Sequence, residues 1–492
     1  MLDSEKKIPS RMIAILNTYV FRIMKKAGCS LTEARQMVVS EFRVNHWEDL
    51  FDEYRSFNWD KWFTTKYPNE DKNLKFLAGL GVDHAALWPT PVGLRKSIFD
   101  ATAPIRQLLK DEKIHDYEEQ AQGPENKILK ETFLVGNTIK KTKTSLYRPV
   151  TKHGDPRFWV YSLGDFCEPG DQLALAVREG LIYVFNLSKY DYQELIEKGA
   201  FSVEMKSLWF LSTSGPLTAT ADELMKKMKS LVGIPLYAPN SVASLSEDAK
   251  QNEKRKRDTD VGMAIEHALG VPPNSEKKPD YKGIELKAWR ETHIGKTENR
   301  HTLFTCVPDF CLSPLKSMKA FVDLTGYPLR GEKATSGLAP ANAKELHCTT
   351  SSIAPNSQGL QLRVDLEKDV VVEWLPEKQM DLLFWAGSRL RLTLQKKHPE
   401  TFWIECETYR DKRGVEFFLV KRIIYTRGPL IAQFLSLIEQ GKVTLDHMCT
   451  WRIKKGDSKM GFSERGPAFK IHSADLPYLF PNPKAFDLTS HK

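Results

Sequence analysis

The sequence predicts a multidomain α+β protein with a helical N-terminal region, a small β-rich module of possible barrel form, and a C-terminal domain of mixed α and β. Three observations support this reading. The chain of 492 residues is about two to four times a typical domain, enough for two or three cores. Its hydrophobic pattern changes from helical spacing to alternation near residue 131. A polar, charge-rich run, "SVASLSEDAKQNEKRKRDTD", then separates that part from a mixed C-terminal half. The expected division is a helical region over 1–120, a β-rich module over 121–240, a linker over 241–257, and a domain of mixed α and β over 258–492.

From Arg11 to Lys26 the residues Met12, Ile13, Ile15, Leu16, Tyr19, Val20, Ile23 and Met24 recur at helical spacing. Ser30 and Glu33 then form the pattern of a capping box, predicting a second helix toward Phe42. The aromatic-rich stretch to about Leu109 reads as further helix. From 131, "ETFLVGNTIKKTKTSLYRPV", "DPRFWVYSLGDF" and "DQLALAVREGLIYVFNLS" alternate as strands, with Lys140, Lys141, Lys143, Arg148, Lys152 and Arg157 interleaved with Tyr147, Phe158 and Trp159. Basic side chains among aromatics suit a sheet that touches nucleic acid, and equally a solvated strand face beside a small core. Downstream, "LQLRVDLEKDVVVEWL", "RLRLTLQ", "TFWIECETYR" and "VEFFLVKRIIY" predict strands. "GPLIAQFLSLIEQG" predicts a helix begun by Pro429 and ended by Gly441.

Composition narrows the function classes. A hydrophobic share of 41% and a charged share of 27% fit a folded chain rather than a disordered one. The start "MLDSEKKIPSRM" is too polar for a signal peptide, and no apolar run approaches the roughly 18 residues of a membrane span. A cytoplasmic location and no membrane partner are therefore expected. Seven scattered cysteines argue against a disulfide framework, and the close pair Cys306 and Cys311 lacks the second pair that zinc requires. A formal charge of +9 permits a polyanionic partner without requiring one. There is no phosphate-cradling Gly-x-x-x-x-Gly-Lys-Ser/Thr loop, so no nucleotide cofactor is expected, and neither a Gly-x-Ser-x-Gly elbow nor a His-Glu-x-x-His helix occurs.

The stretch that carries chemistry is "PDYKGIELKAWR", from Pro279 to Arg290. A turn at 279–283 feeds a strand whose alternation places Glu285 and Lys287 on one face and Ile284, Leu286 and Ala288 on the other. Asp280, at the strand entrance, reaches the same side as Glu285. Paired carboxylates suit a hard divalent cation that keeps positions open for water and a phosphate oxygen. An adjacent ammonium can orient the attacking water or offset charge on the phosphorus. Upstream, Asp258, Thr259 or Asp260 can cap a helix whose apolar stripe is Val261, Ala264, Ile265, Ala268 and Leu269, and Glu266 points roughly 130° from that stripe. On the helix alone, Glu266 reads as a solvent-facing residue.

"VGMAIEHALGV", "PDYKGIELKAWR" and "HTLFTC" together resemble the catalytic segment of the MvaI/BcnI restriction endonucleases, which is similar in turn to that of the MutH nickase, within the PD-(D/E)xK nuclease superfamily. The family pattern places a helix glutamate fourteen residues before the aspartate of Asp-x4-Glu-x-Lys, and the matching positions are Glu266, Asp280, Glu285 and Lys287. The resemblance extends through "RGPLIAQFLSLIEQGKVTLDHMCTW" and "SERGPAFKIHSADLPYLF", over about residues 258–485. It implies an α/β restriction-endonuclease-like domain, an Mg²⁺ cofactor held by Asp280, Glu285 and Glu266, double-stranded DNA as partner, and a monomeric catalytic domain. Oligomerisation through the N-terminal region stays open. The implied function is a type II site-specific deoxyribonuclease of a restriction-modification or related defence system. The alternatives are a MutH-like nicking enzyme of repair, or a DNA-binding protein with an inactive nuclease centre. DNA contacts are expected from Arg290, His293 and Lys296 after the strand, and from Arg452, Lys454, Lys455, Lys459 and Arg465 in a basic, glycine-containing segment. The first 240 residues have no counterpart in the compact members of that family.

Overall fold

The computed structural model describes the chain apart from residues 1–9, 55, 153, 199–216, 240–250, 252–256, 273–277, 292–299, 332–334, 454–457 and 489–492. The helical spacing at the start produces the helix Ser10–Ala27, whose Met12, Leu16, Tyr19 and Val20 are buried. The capping box forms as a reciprocal pair: Ser30 accepts from the Glu33 amide, and the Glu33 carboxylate accepts from the Ser30 amide, at the start of Leu31–Phe42. Phe42, Tyr54, Trp59 and Trp62 pack edge to face or tilted against one another and close this helical layer.

A seven-stranded sheet follows, in the order His84–Leu87, Leu173–Arg178, Leu181–Asn186, Ile128–Val135, Ile139–Tyr147, Arg157–Val160 and Phe99–Asp100. Its path is open, with an edge at each end. Two of its strands come from within the first 120 residues, and they are too short, at four and two residues, to show alternation in sequence. One face packs on the helix Ala103–Asp111 through Ile105, Leu108, Leu134, Leu146, Phe158 and Val184. The other face packs on the helix Pro68–Gly79 through Leu77, Phe133, Tyr183 and Phe185. Of the basic residues that alternate here, Arg148 donates to the carbonyls of Gly154, Tyr117 and Gln120, and Arg157 pairs with Asp100. Lys140, Lys141 and Lys143 are exposed, with Lys141 paired to Glu131.

The C-terminal half is built on a four-stranded sheet in the order Lys484–Asp487, Glu416–Arg427, Glu400–Arg410 and Ile284–Arg290. The last two run parallel, with Glu285 opposite Thr401 and Lys287 opposite Trp403. One face is covered by the helices Ala219–Ser230 and Asp260–Ala268, whose Leu224, Met225, Met228, Val261, Ala264 and Ile265 meet Ile284, Leu286, Phe402 and Phe418. Each such large side chain withdrawn from water contributes roughly 1.5–3 kcal/mol before entropy is charged. Leu236 exchanges two backbone hydrogen bonds of 2.9 Å with Phe418, so residues just ahead of the expected linker pack into this sheet's layer. The opposite face presents Trp289 and Trp403 to a second core shared with a six-stranded sheet and a three-stranded sheet.

One predicted strand is a helix. "RLRLTLQ" lies within the helix Gly387–Lys397, where Leu390, Arg391 and Leu394 are buried and Leu392 is 50% exposed. Leucines at every second position imitate a strand, but the three-and-four spacing of Leu390, Arg391 and Leu394 is what the core uses. Arg391 can be buried because both of its terminal nitrogens bond Asp369 at 2.7 Å. The predicted helix in "GPLIAQFLSLIEQG" is shorter than the motif, running Phe434–Glu439, with Gly441 at φ 71° after it.

Candidate active site

The site begins with a two-residue turn. Tyr281 and Ile284 exchange both backbone hydrogen bonds at 2.8 Å, and Lys282 and Gly283 between them have φ of 47° and 91°. Positive φ at both central positions is what a tight reversal requires, and glycine supplies one of them without steric cost. Glu223, on the helix Ala219–Ser230, fixes this turn: it accepts from the Tyr281 hydroxyl and the Lys282 ammonium at 2.9 Å each. Immediately before the turn, Asp280 Oδ2 accepts the Leu286 amide at 3.0 Å. The aspartate therefore curls back over the strand that carries Glu285.

Glu285 is fully buried, at 0% exposure, on the face opposite Ile284 and Leu286. Its Oε1 lies 2.5 Å from Lys287 Nζ and its Oε2 lies 2.8 Å from Lys397 Nζ. The second contact is ionic without the alignment of a hydrogen bond, which leaves Oε2 a buried acceptor with no hydrogen-bond donor. Lys397 is the final residue of the helix Gly387–Lys397 and also donates to the Lys278 carbonyl at 3.2 Å. It is missed in sequence because it lies 112 positions beyond Glu285, at the end of a segment that imitates a strand.

Glu266 sits half-buried on the helix Asp260–Ala268, with no side-chain bond at the Thr259 cap. Burial raises its pKa above the ordinary carboxylate value, and the negative charge of Asp280 raises it further, while Lys287 and Lys397 oppose. Burial likewise raises the pKa of Glu285, against the pull of Lys287 and Lys397. These mutual effects put Glu266, Asp280, Glu285, Lys287 and Lys397 within electrostatic reach of one another, and Glu266 is half-buried rather than fully exposed. Perturbed carboxylates crowded at one place are a recognised mark of functional sites.

Uncharged groups wall the site from behind. His398 is completely buried; its Nε2 donates to the Leu303 carbonyl at 2.7 Å, and Nδ1 therefore accepts from the Thr401 hydroxyl at 2.9 Å. Burial, with Lys287 nearby, lowers its pKa to about 3. His301, against the Trp289 ring at 4.3 Å between centroids, is lowered to about 4, chiefly by burial. Both histidines stay neutral at physiological pH, so the charged chemistry rests on carboxylates and lysines.

The donor set suits a hard divalent cation. Among the described residues no three or more His, Cys, Asp or Glu side chains form a group that could hold a metal ion. Mg²⁺ does not require so many, since it characteristically takes one or two carboxylates and fills the rest with water and phosphate oxygens. Asp280 and Glu285 supply that pair, and Glu285 Oε2, buried with an ionic partner in Lys397 but no hydrogen-bond donor, is an acceptor whose bonding is incomplete.

The expected DNA-contacting residues separate into three groups. Arg290 is turned inward: its guanidinium grips Glu416 at 3.0 and 2.6 Å and donates to the Arg257 carbonyl at 2.8 Å. Arg452, Lys459 and Arg465 are exposed, in or beside the hairpin formed by Val443–Ile453 and Met460–Glu464. His293, Lys296, Lys454 and Lys455 lie outside the described residues.

Among known proteins, no curated protein matches the chain. The complex of restriction endonuclease MvaI with its cognate DNA substrate aligns over 56% of this chain and 100% of its own, at 18% identity and a TM-score of 0.41. MvaI in the absence of DNA aligns over 55% and 99%, at 17% identity and a TM-score of 0.30. No helix among the described residues is long and apolar enough to cross a membrane. The resemblance read from the sequence is shown: residues 242–480, which contain the whole acidic and lysine cluster, match the MvaI/BcnI restriction endonuclease family.

Proposed function

We propose that this protein is a cytoplasmic, Mg²⁺-dependent endonuclease that hydrolyses phosphodiester bonds at specific sites in duplex DNA, as a type II restriction enzyme or related defence nuclease. The observation that carries this reading is the burial of Glu285 between Lys287 and Lys397, beside Asp280 and Glu266, inside the segment that matches a restriction endonuclease family. A carboxylate kept in a dry site at such cost is there to hold positive charge. Asp280 and Glu285 would hold the cation, and Glu266 completes the acidic field around it. When bound, the cation supplies Lewis-acid polarisation of a phosphoryl oxygen and eases ionisation of a water.

The protein's own groups do the rest. Lys287, released from Glu285 Oε1, presents its ammonium to the attacking water and to the charge growing on the phosphorus. The main-chain bond from Leu286 to Asp280 and the clamp of Glu223 on the turn hold the carboxylates in register with the strand. Arg452, Lys459 and Arg465, with His293, Lys296, Lys454 and Lys455, form the proposed DNA-facing set, and Arg290 serves as a brace between strands. Residues 1–240 supply a helical region and a β-rich module in front of this domain, as a candidate reader or effector.

The test is cleavage of supercoiled DNA carrying many sequence contexts, with and without Mg²⁺, followed by sequencing of the ends. Lys287→Ala lowers cleavage by at least about 10²–10³-fold, the scale of losing one transition-state electrostatic contact, while DNA binding in Ca²⁺ persists. Undiminished cleavage by this variant removes Lys287 from the mechanism. The ratio of nicked to linear product separates double-strand cutting from a nicking enzyme.

A further inference from the structure

Lys397 lies outside the Asp-x4-Glu-x-Lys motif, and the chemistry above assigns it nothing. It is nevertheless placed firmly. Its helix, Gly387–Lys397, is anchored by buried Leu390 and Leu394 and by the two-pronged bond of Arg391 to Asp369. The helix end carries partial negative charge that favours an ammonium, and the Lys278 carbonyl adds a 3.2 Å bond. From this mount, Lys397 Nζ stands 2.8 Å from Glu285 Oε2, the oxygen that is buried without a hydrogen bond. Its side chain retains 18% exposure, so the ammonium has water to withdraw toward.

We propose that Lys397 is a gate on the metal site: a built-in counter-ion that holds Glu285 Oε2 and must be displaced before a divalent cation can take that oxygen. This rests on the reading of Asp280 and Glu285 as cation ligands. Lys287 lies against one oxygen of Glu285 and can serve only that one. Lys397 lies against the other, so the two ammoniums together offset the charge of a fully buried carboxylate. A divalent cation bound to Oε2 would have the Lys397 ammonium as its immediate neighbour, and like charges in a poorly solvated place repel strongly. The lysine therefore weakens cation binding by the free protein. The opposing charge falls when Lys397 swings away, and a DNA phosphate entering the site is the one anion of the reaction able to draw it off. Cation affinity and DNA binding are thereby coupled: each makes the other tighter. Lys397 is a positioning residue in this scheme, acting through Glu285.

The experiment titrates the full chain with Mn²⁺ in the absence of DNA, reading free ion by electron paramagnetic resonance, so that no turnover enters the measurement. Lys397→Met, which keeps length and removes charge, binds Mn²⁺ about tenfold tighter than the parent, the scale expected from deleting one adjacent positive charge. Lys397→Arg keeps the parent affinity, which separates loss of charge from loss of packing. With an uncleaved phosphorothioate duplex added, the parent tightens toward the affinity of Lys397→Met, and that variant changes little. Equal or weaker Mn²⁺ binding by Lys397→Met overturns the gate while leaving the metal site intact. Parent binding that is insensitive to Asp280→Asn instead overturns the assignment of the metal site, and the gate with it.

Discussion

Glu285 concentrates the conflict on which the site depends. It is fully buried, and burial raises its pKa despite two ammoniums within 2.8 Å. Glu266 is shifted the same way. The native chain therefore binds more protons at these groups than the unfolded chain does, in the window above the ordinary carboxylate pKa, and their contribution to stability falls as pH rises through it. Glu285→Gln should accordingly raise the melting temperature of the cation-free protein at neutral pH and flatten the pH dependence of stability on the acid side. Calorimetry at pH 5 and pH 8 checks this, and a lower melting temperature at pH 8 would show the charged form to be the favoured one. Arg290 makes the opposite case. With side-chain exposures of 14% and 11% for Arg290 and Glu416, Arg290→Ala strands a buried carboxylate, a change that costs roughly 3–5 kcal/mol. Urea unfolding should show that loss. The salt dependence of DNA binding, which counts phosphate contacts, should stay as it was, whereas Arg452→Ala should shallow it without touching stability.

At the scale of elements, the site is a strand positioned by a turn and two helices. Gly283 has φ 91°, and no atom beyond its chain neighbours lies within 4 Å of where a Cβ would stand, so an alanine there meets backbone strain alone. Gly283→Ala should cost about 1–2 kcal/mol in urea unfolding and reduce cleavage by more than the stability loss explains, because the turn sets Asp280 over the Leu286 amide. Cleavage that is unaffected in the folded variant would show the turn to be tolerant. The same elements show what a sequence reveals. The Ser30 and Glu33 box and the alternation of "IELKAW" are local, each decided by neighbours within four residues, and both appear in the structure as read. Glu266 can be placed off the apolar stripe of its own helix, but not against anything, because its surroundings come from a strand about twenty residues on. Lys397 is beyond reach for the same reason, compounded by leucines at every second position in a segment that folds as helix. Local periodicity fixes which way a side chain points and leaves open what it meets.

At the scale of the molecule, the two halves of the chain meet through a seam of named contacts. Ala103 N donates to the Leu366 carbonyl at 2.7 Å, and Asp83 accepts the Ala432 amide at 3.0 and 3.2 Å. Asp83 precedes the first strand of the seven-stranded sheet, and Ala432 leads into the helix Phe434–Glu439 of the C-terminal half, so this carboxylate ties the N-terminal module to the half that carries the site. Burial in the seam raises the Asp83 pKa to about 7, more than the backbone donors of Ala432, His84 and Ile431 lower it. A carboxylate whose folded pKa lies above its unfolded value binds its proton more tightly in the native state. The stability linked to it is full in acid, falls as pH climbs from about 4, and is gone above about 7. Asp83→Asn keeps the acceptor oxygen and removes the charge, so it should match the parent near pH 5 and exceed it at pH 8 by something on the order of 1–3 kcal/mol, the shift being discounted for the part of the residue that water reaches. Urea unfolding of both proteins at the two pH values reads this directly, and limited proteolysis between the halves should slow in the variant at pH 8. Equal stability of the two proteins at pH 8 would mean that the ionised carboxylate is as well accommodated in the seam as the amide, and that the docking of the halves does not respond to pH through this residue.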